Sequence, residues 1–180
     1  MVYLLLAPGF EEGEAVIPCD ILRRGGVEVT LVGMTGDLVP GSHGIEVKAD
    51  VTFEDADFSD LELLVLPGGL GGTNFLAAHP GAREWILRAA AEGKWLSAIC
   101  AAPTVYGGLG LLDGRRAVCY PGMEPGLGGA IPCPGEPVVV DGQFITGEGP
   151  GAAYAFGFAL LKALKGEQTA QRVRSEMVCR

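Results

Sequence analysis

Trp95-Leu96-Ser97-Ala98-Ile99-Cys100-Ala101-Ala102-Pro103-Thr104 reads as an apolar strand that runs into a cysteine and then into a helix. A strand without polar alternation is one covered on both faces, as in a parallel sheet flanked by helices. The cysteine falls at the turn between the two elements. The first N–H groups of a helix and its dipole stabilise a negative charge there, so the pattern predicts a thiol that ionises below its ordinary value. Pro103 suits the first helical turn, where no N–H donor is needed. A free cysteine most often packs as a small hydrophobe. At this elbow the nucleophilic reading is preferred, because such a turn presents the side chain beside N–H donors for an oxyanion.

The flanking sequence repeats the strand–turn–helix scheme. An apolar run at 2–7 passes through Pro8-Gly9-Phe10 into a helix from about Glu11 to Gly25-Gly26, followed by a strand at 27–32. That is a βαβ opening. Glu11, Glu12 and Glu14 fall in the first helical turn, where carboxylates meet the dipole favourably, and from the residues alone Glu14 has only that part. Residues 35–60 carry Gly36, Pro40, Gly41 and Gly44 around an alternating Ile45-Glu46-Val47, which predicts a small hairpin with His43 as a surface turn residue. Leu63-Leu64-Val65-Leu66 predicts a central strand ending in Pro67-Gly68-Gly69-Leu70-Gly71-Gly72, a tight turn or a ligand-facing loop.

A helix is expected around 80–92 and a strand at 116–120, followed by an irregular loop at 121–134. A hairpin at 138–146 turns on Asp141-Gly142, and a long helix follows Gly147-Glu148-Gly149-Pro150-Gly151-Ala152, with helical surface beyond Gly166. The last stretch fits a dinucleotide-binding glycine pattern in outline. Glu148 would repel phosphate and Pro150 lacks an amide donor, so that reading is rejected. Alternating strands and helices predict one three-layer α/β domain over residues 1–180, with ligands beyond the carboxyl ends of its strands. Glu14, Gly68-Gly69 and Cys100 converge there.

Composition narrows the function. The net charge of -9 disfavours nucleic acid or an anionic membrane as partner. The opening apolar run lacks a basic flank and meets Pro8-Gly9 at once, so a strand is preferred to a signal peptide. Five cysteines without a C-x-x-C pair suggest reduced thiols in a cytoplasmic protein, and His43 and His79 are too few and too separated for an ordinary zinc site.

The motifs Ala7-Pro8-Gly9-Phe10-Glu11-Glu12-Gly13-Glu14, Leu66-Pro67-Gly68-Gly69, Ala98-Ile99-Cys100-Ala101-Ala102-Pro103, Cys119-Tyr120-Pro121 and Thr146-Gly147-Glu148-Gly149-Pro150-Gly151 occur in this order over nearly the whole chain. Together they resemble the ThiJ/PfpI superfamily, in the branch of the Parkinson-disease protein deglycase, also called the DJ-one family, within the class I glutamine amidotransferase-like domains. The resemblance implies a flavodoxin-like fold and a homodimer. It implies Cys100 as the reactive cysteine and Glu14 as the carboxyl hydrogen-bonded to it. It also implies cofactor-independent glyoxalase or deglycase activity on a small dicarbonyl or glycated substrate, or peroxide sensing and chaperone-like behaviour through the same thiol. On this basis Gly68, Gly69, Ala101 and Tyr120 are the candidate oxyanion and substrate-binding residues, and no metal or cofactor is expected.

Two departures refine the expectation. Ala101 stands where protease and amidotransferase-like relatives carry a triad histidine, which disfavours a Cys-His hydrolase. Tyr120 stands where some branch members place a histidine, and a tyrosine is a poor base at neutral pH. Glu14 is expected to hold a proton at neutral pH, so that it shares one negative charge with Cys100.

Overall fold

The structure, a computed structural model, describes residues 1–179. In chain order its elements are β1 (Val2–Leu6), α1 (Glu12–Arg24), β2 (Val29–Gly33), β3 (Leu38–Pro40), β4 (Glu46–Lys48), β5 (Val51–Thr52), β6 (Leu63–Leu66), α2 (Leu70–Ala78) and α3 (Pro80–Ala91). They continue as β7 (Trp95–Ile99), α4 (Pro103–Gly108), β8 (Arg116–Ala117), β9 (Ile131–Pro132), β10 (Val138–Asp141), β11 (Phe144–Gly147) and α5 (Ala153–Glu176).

Seven strands form one sheet in the order β10-β11-β7-β6-β1-β2-β5. All neighbours are parallel except the β10–β11 hairpin, whose loop begins at Gly142 with φ 58°. Every residue of β1 and β6 is buried. The strand alternation sorts their side chains onto two cores. Val2, Leu4, Leu6, Leu63 and Val65 meet Ile21, Leu22, Phe156 and Leu160 of α1 and α5 on one face. Tyr3, Leu5, Leu64 and Leu66 meet Ile86 of α3 and Tyr106 of α4 on the other. Each fully buried leucine or isoleucine contributes about 1.5–3 kcal/mol of transfer free energy, and this two-sided burial is what holds three layers together. The fold is the expected flavodoxin-like α/β arrangement.

The chain leaves β1 outward through β2 to β5, then returns to β6 and proceeds the other way through β7. This reversal between β1 and β6 opens a crevice at the carboxyl ends of the strands. The loops after β1 and β6 are stitched across it by the Glu11 N–H, which donates to the Gly68 carbonyl at 3.0 Å. Gly69, with φ 82°, permits the approach: a Cβ there would lie 2.4 Å from the Gly9 oxygen.

Three local expectations are corrected. Residues 70–78 form α2 rather than extending the glycine-rich loop. The strand expected at 116–120 is reduced to β8, which pairs with β9 outside the main sheet. The segment beyond Gly166 continues α5 through a kink at that residue, with Ala170 and Val173 in the core. The 35–60 hairpin forms as β3–β4, and β5 adds an edge strand beside β2. No helix among the described residues is long and apolar enough to cross a membrane.

Candidate active site

Cys100 follows β7 directly and adopts φ 64°. The left-handed region costs a non-glycine residue about 1–3 kcal/mol unless its surroundings enforce it. Here both main-chain groups are held: the Cys100 N–H donates to the Gly147 carbonyl at 2.9 Å, and the Tyr120 N–H donates to the Cys100 carbonyl at 2.8 Å. Ala102 N–H then closes onto the Ile99 carbonyl at 3.1 Å, and Pro103 opens α4. The elbow is therefore a turn clamped from β11 on one side and the 118–121 segment on the other.

Glu14 lies in the first turn of α1, directed inward and completely buried. Glu11 caps that helix, its carboxylate accepting the Glu14 N–H at 2.7 Å. The Glu14 Oε2 atom accepts the Gly68 N–H at 2.9 Å, whereas Oε1 is buried with no hydrogen-bond partner. A Cβ on Gly68 would lie 2.5 Å from Glu14 Oε2 and 2.6 Å from Cys100 Cβ, so the two side chains meet over the Gly68 Cα. Gly68 thus spends its N–H on the carboxyl. The Gly69 and Ala101 N–H groups instead face the Cys100 sulfur.

Burial, helped by the Glu11 charge, raises the Glu14 carboxyl from 4.5 to about 7, against the opposing pull of the neighbouring Cys100 thiol and the Gly68 N–H. Burial, followed by the Glu14 charge, pushes the Cys100 thiol up to about 12, while the Gly69 and Ala101 N–H groups pull it down. This corrects the expectation of a lowered thiol pKa. The helix α4 that was to stabilise the thiolate spans only six residues, too short for its dipole to offset desolvation. Between those two values the pair carries a single negative charge, and a thiolate exists when the proton resides on Glu14.

Tyr120 reaches this arrangement through its backbone; its ring is half exposed and rests against Gly149. Sequence reasoning missed Gly147 as an anchor of the elbow, and it missed Glu12. Glu12 is buried, and its Oε1 accepts N–H groups from His43 at 2.7 Å and Ile45 at 3.4 Å. Its Oε2 faces Ser42 Oγ at 3.3 Å and His43 Nδ1 at 3.1 Å. Burial pushes the Glu12 carboxyl up, but these hydrogen bonds and its own N–H outweigh it and bring it to about 2. Glu11, Glu12 and His43 are close enough to surround a cation, but Glu12 is already satisfied by the 42–45 turn. His79 lies apart, capping α3 by accepting the Ala82 N–H at 3.1 Å.

The sequence profile of the DJ-1/PfpI family matches residues 1–163. The chain belongs to this family. The crystal structure of Drosophila melanogaster DJ-1beta superposes with a TM-score of 0.93 at 33% identity, covering 99% of this chain and 97% of that one. The oxidized DJ-1 of Toxoplasma gondii gives a TM-score of 0.93 at 30% identity, covering 98% and 97%. Deglycase PfpI of Pyrococcus furiosus is 31% identical over 165 residues, which is 91% of this chain and 99% of that protein. These two solved relatives thus share the fold in which α1, β6, β7 and β11 bring Glu14, Gly68, Cys100 and Gly147 together in this chain.

Proposed function

We propose that the chain detoxifies reactive dicarbonyls with Cys100 as nucleophile and Glu14 as general acid and base, acting without a cofactor on methylglyoxal or on its adducts with amines and thiols. The observation that carries this reading is the buried Glu14 carboxyl, poised at about 7 beside a thiol on a clamped elbow. A proton carrier works best with a pKa near the working pH. The thiolate adds to the aldehyde carbon, and the oxygen that gains charge lies within reach of the Gly69 and Ala101 N–H groups. Glu14 takes the proton from that carbon and returns it to the neighbouring carbon through an enediol, which leaves a lactoyl thioester. Water hydrolyses the thioester to lactate and restores the thiol. From an amine adduct, the C–N bond first breaks as the carbinol oxygen loses its proton and the nitrogen gains one, which frees the same aldehyde. Relatives named as deglycases support this choice.

Purified protein should convert methylglyoxal to lactate without glutathione, and Cys100→Ser should abolish the conversion. Lactate formation retained by Cys100→Ser would overturn the mechanism. A second reading, a peroxide-responsive or chaperone-like protein that uses the same thiol, is favoured by the solved oxidized relative and by a carboxyl able to donate to an oxidised sulfur. Five free cysteines suit the reducing cytoplasm in which either role would operate. A homodimer is proposed through α1 and its adjoining strands, where a cavity of about 280 Å³ lies between Val16, Cys19, Leu31 and Val47.

A further inference from the structure

The Cys100 site holds a buried proton carrier but no base that faces solvent. Glu14 is sealed from water, with Oε2 held by the Gly68 N–H. Tyr120 joins the elbow through its backbone, and its phenol is a poor base at neutral pH. Of the two histidines, His79 is spent on capping α3. The other, His43, stands on the rim of the crevice between β1 and β6. Its turn is laid on the loop after β1: the Gly9 N–H donates to the Pro40 carbonyl and the Ser42 N–H to the Phe10 carbonyl, both at 2.8 Å. The Glu11 N–H ties that loop to Gly68, and the N–H of the next residue, Gly69, faces the Cys100 sulfur. Glu12 orients the His43 ring, whose Nδ1 lies 3.1 Å from the buried Oε2 and 3.0 Å from Ser42 Oγ. Gly41 admits this approach, because a Cβ there would lie 2.4 Å from the Glu12 carboxyl carbon. Burial pushes Glu12 up, but its hydrogen bonds bring it to about 2, so it stays ionised. An ionised carboxylate accepts and cannot donate; Nδ1 therefore carries the proton and Nε2 keeps its lone pair. The side chain is 72% exposed, and no hydrogen bond among the described residues occupies Nε2.

We propose that His43 is the general base that activates the water releasing an acyl group from Cys100, with Glu12 as its positioning residue. The role rests on the thioester that the dicarbonyl mechanism forms, but its chemistry applies to any acyl group on this sulfur. A base must stand within hydrogen-bond reach of the water it deprotonates. That water enters from the solvent side of the crevice, where His43 stands and Glu14 does not. A carboxylate on Nδ1 fixes the tautomer and stabilises the imidazolium that forms. His43 Nε2 takes a proton as the water oxygen bonds to the thioester carbonyl carbon. The C–S bond then breaks with its electron pair on sulfur. The acid leaves and loses its own proton to solvent, while His43 returns its proton to the Cys100–Glu14 pair, which regains its single negative charge.

The test bypasses dicarbonyl chemistry: Cys100 is acetylated with p-nitrophenyl acetate, and loss of the acetyl group from the Cys100 peptide is followed by mass spectrometry. Wild-type protein should shed the group at least about 100-fold faster than His43→Ala, the lower end of what a positioned base contributes. The His43 side chain is exposed and its backbone N–H still reaches Glu12 in the variant, so thermal unfolding should match wild type. Added imidazole should restore the rate in His43→Ala, a rescue that a merely structural residue does not give. Glu12→Gln keeps an acceptor for the turn's N–H groups and should slow acetyl loss about tenfold by loosening the ring. With methylglyoxal, His43→Ala should accumulate lactoyl-Cys100. Acetyl loss from His43→Ala within twofold of wild type, or a slowed rate that imidazole does not raise, overturns the assignment. If acetyl loss depends on His43 but methylglyoxal yields neither lactate nor lactoyl-Cys100, the role of His43 stands and the dicarbonyl reading falls.

Discussion

Replacing Gly68 by alanine would add one methyl group at the point where the two reactive side chains meet. That Cβ would come within 2.5 Å of Glu14 Oε2, 2.6 Å of Cys100 Cβ and 2.8 Å of the Ile99 carbonyl oxygen. Gly68 does not occupy the left-handed region, so the effect is steric and not conformational. Two of the three neighbours are main-chain or Cβ atoms that cannot rotate away, and the third is held by the Gly68 N–H itself. Overpacking of this kind costs about 1–3 kcal/mol. For a chain of this length, about 2 kcal/mol lowers Tm by about 4–8 °C. Moving the carboxyl about 1 Å from the sulfur would also lower turnover roughly 100-fold. Two assays read these effects separately: thermal unfolding, and the rate of Cys100 alkylation by iodoacetamide as a function of pH. Wild-type Tm together with an alkylation profile within twofold of wild type would refute the claim that the pair depends on this close contact.

The other perturbations concern charge, redox state and assembly. Because the Glu14 carboxyl sits at about 7 when folded and at 4.5 ordinarily, the folded chain keeps a proton that the unfolded chain releases. Its stabilising contribution is complete below 4.5 and declines as pH rises to about 7, and Glu14→Gln should flatten that slope in urea unfolding; an unchanged slope would count against a buried protonated carboxyl. Glu12 acts with the opposite sign: its contribution is present above 4.5 and is lost as pH falls toward about 2. Glu12→Ala should cost about 2–3 kcal/mol by stranding the N–H groups of the 42–45 turn and should expose that turn to proteolysis, and wild-type protease resistance would contradict this. Under limited peroxide, peptide mass spectrometry should find Cys100 oxidised before Cys19, Cys119, Cys133 or Cys179, with the Cys100 profile altered in Glu14→Leu; an unaltered profile would defeat the pairing. Sedimentation at micromolar concentration should show a dimer, and a sole 18.7 kDa species would exclude a stable one.

Much of the frame was legible because strong local signals agreed with the tertiary outcome. Gly25-Gly26 ended α1, Asp141-Gly142 turned the β10–β11 hairpin, and the unbroken apolar runs of β1, β6 and β7 marked central strands. α2 was hidden because Gly68, Gly69, Gly71 and Gly72 read as loop, whereas two of these glycines are needed for the close approach to Gly9 and Phe10. The strand expected at 116–120 does not continue past Ala117, and the segment 118–120 joins no sheet. It instead lies against the elbow, where its N–H groups serve Thr146 and Cys100. The elbow at Cys100 followed from its strand–turn–helix pattern. The direction of its pKa did not, because desolvation depends on what is packed around the sulfur and on the length of α4. From the residues alone Glu14 reads as a dipole partner; the family resemblance sets it beside Cys100, and the path of α1 turns it inward while Glu12 turns toward His43.

The clamps on Cys100 also set the order in which the site can mature. The Glu14 carboxyl and the Gly68 amide that holds it are 54 residues apart in the chain. The Gly147 carbonyl that secures the elbow arrives still later, at the end of β11. A growing chain that has delivered β1 through β7 already contains the thiol and its proton carrier, but not the strand that enforces the left-handed turn. The left-handed turn that sets the thiol beside Glu14 and the Gly69 and Ala101 N–H groups is thus completed only when β11 is inserted beside β7. Loss of dicarbonyl turnover on heating should therefore coincide with melting of the central sheet.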